Sequence, residues 1–221
     1  MAKKHSDMRC ILTRIIEMKQ VASVLLCVVA LIALSPYAEA GDALPITTAS
    51  LAGNSTMAPI GWIGFCKKNP TDCNVPSVKA TRVTLTDDIW NMLVVTNSSV
   101  NQTVEAASDM AHWGMNESWD YPTDGKGDCE DYALQKRKML IKAGLARQAL
   151  PITVVLDRHG DGHAVLMVRT DHGDFILDNQ YREIMAWDRT GYTYLRRMSD
   201  ENPNAWIAMK DGAADVMVAA R

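Results

Sequence analysis

One short stretch divides this chain into two textures: Gly127-Asp128-Cys129-Glu130-Asp131-Tyr132-Ala133. It sets a lone cysteine among three carboxylates at the start of an apolar-periodic segment. Asp128 reads as an N-cap, which puts Cys129 at the first position of a helix running to Gly144, its C-cap. Helix N-termini carry partial positive charge and free N–H groups, and such surroundings favour the thiolate, the nucleophilic form. Neighbouring carboxylates disfavour it. The stretch therefore poses a catalytic cysteine with an electrostatic objection. The alternative is a small buried hydrophobe.

Before this stretch the pattern is helical. Thr86-Asp87-Asp88 opens a segment in which Ile89, Trp90, Leu93, Val94, Val100, Val104 and Ala107 recur at helical spacing, with Asn97-Ser98-Ser99 as a possible interruption. Residues 113–127 read as a loop whose Trp113, Trp119 and Tyr121 either line a cleft or cap the core. After the cysteine helix the pattern turns to strands. Ile152 to Leu156, His163 to Val168 and Phe175 to Leu177 are apolar runs separated by Asp/Gly/His turns. Tyr192 to Leu195 and Trp206 to Ala208 are weaker ones. Helices first, then an antiparallel meander, makes the fold class α+β.

Residues 1–40 stand apart. Lys3, Lys4, Arg9, Arg14 and Lys19 precede an apolar run from Val21 to Leu34, and Ala38-Glu39-Ala40 is an A-x-A cleavage signal before Gly41. This reads as a secretory signal peptide, with Met18 as an alternative start. Export places the chain in the periplasm or outside the cell. Residues 41–60 read as a flexible mature N-terminus and residues 61–221 as one domain. Cleavage leaves Cys66, Cys73 and Cys129; the first two, close together in a segment that holds Pro70 and Pro76, pair as a disulfide in an oxidising compartment. The net charge of −3 gives no sign of a nucleic-acid partner.

A thiol nucleophile needs a base, and the base an orienting group. His112 lies on the helix before the loop, and His159 and His172 sit in turns. His163 opens an apolar strand after two glycines, and Asp178 ends the next strand of the same hairpin, within a few residues of register. Cys129, His163 and Asp178 are thus the candidate triad. Residues on a helix advance by about 100° each, so Asp128, Glu130 and Asp131 are expected on the side away from Cys129. They read either as shared ligands of a hard cation such as calcium or as an acidic first turn favoured by the helix dipole.

These motifs together resemble the bacterial transglutaminase-like cysteine proteinases. The resemblance is carried by Trp119 and Pro122, by Gly127 to Ala133 with Lys136, by His163-Ala164-Val165-Leu166 and by Leu177-Asp178-Asn179. Trp62, Phe65-Cys66 and Cys73 match an N-terminal pattern, so that Gly61 to Ile207 is covered. It implies a papain-like, transglutaminase-like fold in which Cys129 is nucleophile, His163 general base and acid, and Asp178 its orienter. It also implies calcium bound by Asp128, Glu130 and Asp131. For the adhesin-processing members it implies a large surface adhesin as protein substrate and sequestration by an inner-membrane receptor that senses cyclic-di-GMP. The same three residues serve acyl transfer to an amine, as in transglutaminases, and a non-catalytic binding module is the remaining alternative.

Overall fold

The computed structural model describes residues 43–77, 79–202 and 204–209. The expected signal peptide and the end of the chain from residue 210 lie outside the described residues. Chain order begins with strand β1 (Ala52–Thr56) and helices α1 (Ile60–Lys68) and α2 (Pro70–Cys73). Helix α3 (Asp87–Thr103), strand β2 (Glu105–Ala106), helix α4 (Asp109–Trp113), strand β3 (Lys126–Gly127) and helix α5 (Cys129–Lys142) follow. Strands β4 (Ile152–Leu156), β5 (Gly162–Thr170), β6 (Gly173–Leu177), β7 (Met185–Ala186), β8 (Thr193–Met198) and β9 (Trp206–Met209) complete the sheet.

Its order is β1-β9-β8-β4-β5-β6-β7, and every pairing in it is antiparallel. β5 is an interior strand buried on both faces, which is why Ala164 to Val168 reads as a continuous apolar run rather than an alternation. One face joins Leu166, Val168, Phe175 and Leu177 to Leu134 and Leu140 of α5 and to Leu93 of α3. The other gathers Val155, Val165, Met167, Ile176, Tyr192 and Tyr194.

Thr86 caps α3 through its hydroxyl, which accepts from the Ile89 N–H. The expected interruption at Asn97 is absent, because Asn97 and, one turn on, Asn101 are put to use. Asn97 is buried and donates to the Arg182 carbonyl. Asn101 donates to the carbonyl of Asp178 at 2.7 Å. A helix thereby grips the loop that follows β6. Trp119 and Tyr121 belong to the core: Trp119 packs edge-on against Trp62 and Trp206, and Tyr121 against Phe65.

Within the expected mobile lead-in over 41–60, residues 52–56 form a strand. β1 pairs with β9, and Ser50 donates through both its N–H and its hydroxyl to buried Asp174. Ala52-Gly53-Asn54-Ser55-Thr56 has no apolar alternation, so its strand arises from β9's free edge rather than from local propensity. Cys66 and Cys73 form the expected disulfide, with the pair separated by seven residues. Closing so short a loop stabilises the fold by about 2.5 kcal/mol. Alkylation of the folded protein without reductant should label Cys129 and spare Cys66 and Cys73; labelling of the pair would contradict the bridge.

Candidate active site

The site forms where the N-terminus of α5 meets the first residues of β5. The register Leu166↔Leu177 places Asp178, just past β6, opposite Val165. His163 is then its diagonal neighbour on the same face. Nε2 of His163 lies 2.9 Å from Oδ1 of Asp178, and both side chains are buried. With the carboxylate ionised, Nε2 carries the hydrogen and Nδ1 is the free lone pair. Asp178 also accepts from the Gln180 N–H at 2.9 Å and from the Tyr192 hydroxyl at 2.6 Å. Burial opposes its charge, but these hydrogen bonds prevail and hold the carboxyl below its ordinary range.

Cys129 begins α5 as expected, with Asp128 at the N-cap. Its sulfur meets the same end of β5, where the Ala164 N–H favours the thiolate. Burial, Glu130 and Asp128 outweigh that bond and push the thiol well above its ordinary value. The thiol donates to Oε2 of Glu130 at 3.0 Å. Glu130 was expected on the far side of the helix. Its side chain is long enough to fold back over the first turn, so Cβ direction alone misplaces its carboxylate.

Asp128 does not cap its own helix through its side chain. Its Oδ2 instead accepts from the Asp109 N–H at 3.2 Å, and its buried Oδ1 has no hydrogen-bond partner among the described residues. Asp109, Asp128 and Glu130 converge, with one oxygen from each within 4.8 Å of the others. Burial raises all three carboxyls, Asp109 to about 6. Glu117 stands nearby, raised by burial and hydrogen-bonded to the Trp119 indole at 2.7 Å. Three hard oxygen donors, one of them an orphaned buried atom, are the donor chemistry of a divalent cation site.

Asp131 does not join this group. It is rotated by about 100° from Glu130, and its Oδ1 accepts from the Asp120 N–H at 2.8 Å. It braces the preceding loop, and burial raises its carboxyl to about 8. Gly127 is required by this packing: a Cβ there would lie 2.7 Å from both Cβ and Oδ2 of Asp131. Gly127→Ala should cost about 1–3 kcal/mol of stability, read as a melting point lowered by several degrees. An unchanged melting point would contradict the close approach.

Sequence reasoning passed over Asp109 and Glu117, which sit on a five-residue helix and in the loop after it. It also passed over Tyr192 as a partner of Asp178. Lys136 lies two turns along the Cys129 face of α5 and is fully buried. Burial lowers its ammonium to about 7, while Asp178 works to keep it charged.

Residues 52–214 match the family model described as bacterial transglutaminase-like cysteine proteinase. Among solved structures, the chain is similar to calcium-bound LapG of Legionella pneumophila, at 22% identity over 59% of this chain and 76% of that one, with a TM-score of 0.48. The EGTA-treated form of that protein aligns at 24% identity over 57% of this chain and 72% of that one, with a TM-score of 0.46. No curated protein matches the chain.

Proposed function

We propose, from the premise that the chain belongs to the bacterial transglutaminase-like cysteine proteinases, that it is an exported, calcium-dependent endopeptidase working through Cys129, His163 and Asp178. The observation that carries the reading is the buried His163–Asp178 pair at the strand end that Cys129 also meets.

Nδ1 of His163 takes the thiol proton, and the thiolate attacks the peptide carbonyl. Backbone N–H groups at the start of α5 receive the developing oxyanion. His163 then returns the proton to the leaving amine, and water, deprotonated by His163, hydrolyses the thioester. Asp178 keeps the imidazole in one tautomer and stabilises its cationic form.

The acidic cluster fits a calcium ion, with Asp109, Asp128 and Glu130 as its ligands. Bound there, the ion supplies positive charge that offsets the carboxylate field at the thiol. Asp131 supports the loop from which the site is built. The family resemblance supports a large surface adhesin as substrate and an inner-membrane cyclic-di-GMP receptor as sequestering partner.

Mass spectrometry of products separates hydrolysis from acyl transfer. A surface-protein extract treated with the protein and calcium, with a primary amine present, should show free new carboxyl and amino termini. Amine-capped carboxyl termini as the main product would overturn the peptidase reading.

A further inference from the structure

We propose that Tyr192 is a positioning residue for the His163–Asp178 pair, acting through its hydroxyl on Asp178. The inference rests on the triad reading given above. The Tyr192 hydroxyl donates to Oδ2 of Asp178 at 2.6 Å. The same ring meets the His163 ring edge-on, with centroids 5.7 Å apart and planes at 79°. Asp178 divides its oxygens cleanly: Oδ1 takes His163 and the Gln180 N–H, and among the described residues Tyr192 is the hydrogen-bond donor to Oδ2.

A carboxylate held at one oxygen can still turn about its last torsion, whereas one held at both cannot. The ring contact limits the imidazole in the same way. Tyr192 therefore fixes the plane in which Nε2 is held, and with it the direction of Nδ1. It comes from outside the hairpin that carries the pair. β4 separates β8 from β5, and its last residue, Leu156, pairs with Thr193. Tyr192 lies one residue beyond that pairing and passes over the end of β4 to reach Asp178. Its N–H donates to the Thr190 hydroxyl, which fixes the approach.

Asp157, just past β4, faces His163. Lys136 faces Asp178 from α5. Tyr181 faces Tyr192 at 6.3 Å from the loop after β6, and Tyr194 faces it from β8. Arg158 lies over the Tyr181 ring. None of them donates a hydrogen bond to Oδ2.

Without the hydroxyl, Oδ2 is buried and unsatisfied, which favours a protonated Asp178. A protonated Asp178 cannot support the imidazolium that accompanies a thiolate. The test is the rate at which iodoacetamide alkylates Cys129 in the calcium-loaded full chain, read at the Cys129 peptide across pH. Tyr192→Phe should move the acid limb of that profile up by about one pH unit. In an Asp178→Asn background the same substitution should change nothing further, a result that a merely structural role would not produce.

A profile unmoved by Tyr192→Phe, or moved equally in the Asp178→Asn background, overturns the inference and leaves the triad standing. A wild-type profile indifferent to His163→Ala removes the triad, and this inference with it. If Tyr192→Phe does not fold, the unmodified protein decides. A slowly exchanging Tyr192 hydroxyl proton, lost in Asp178→Asn, supports the proposal, and its absence overturns it.

Discussion

Cys129→Ala should lower peptide-bond cleavage by about 10⁴-fold or more and leave the fold in place. The size of the loss follows from the role. Without the sulfur no thioester forms, and His163 and Asp178 have nothing to activate. The fold should survive because the side chain is small, half-buried, and hydrogen-bonded to Glu130, whose carboxyl burial and Asp128 already push up. Its removal takes one hydrogen-bond donor from Glu130, so the melting point should fall by only about 2–4 °C. New N-termini in a surface-protein extract, counted after treatment with wild type and variant, measure the effect. Cleavage by the variant at even a tenth of the wild-type rate would remove Cys129 from the reaction.

Chelating calcium should suppress cleavage by about 100-fold and give stability an inverted dependence on pH. Asp109 titrates at about 6 and Asp131 at about 8, both raised by burial. A carboxyl raised in the folded state binds its proton more tightly there than in the unfolded chain. The stability it contributes is complete below the ordinary carboxylate range and is lost as pH rises through the folded value. Asp128 and Glu130 are raised as well, so their contributions have the same sign. The chelated protein should therefore lose melting temperature from about pH 5 to pH 8, by about 5 °C or more. Calcium should restore most at the upper end, where the ligands are ionised. Thermal melts with EGTA and with calcium at several pH values check this. Coincident curves would return Asp128 and Glu130 to the role of an acidic first turn.

The strands legible in the sequence were those whose burial is decided locally. Ile152 to Leu156 and His163 to Val168 announce a sheet covered on both faces. The same reading placed His163 and Asp178 on one hairpin, because register within a hairpin is short-range. What remained hidden depends on contacts between distant segments. β1 exists because β9 offers an edge to a polar stretch. Asp109 enters the cluster only because α4 folds back on the start of α5. Glu130 and Asp131, expected together on the far side of the helix, part company: one side chain folds back to the thiol, and the other braces a loop. Asn97, which looks like a turn residue within a helix, gained its meaning with Asn101 from the loop after Asp178.

On the proposed reading, His163 makes Cys129 reactive once the surrounding carboxylates are neutralised. The measurement that reaches it most directly is the alkylation rate of Cys129 at neutral pH, compared in calcium and in EGTA for wild type and His163→Ala. Wild type in calcium should react at least about ten times faster than in EGTA, and His163→Ala should be slow in both. Equal rates in all four samples would contradict it.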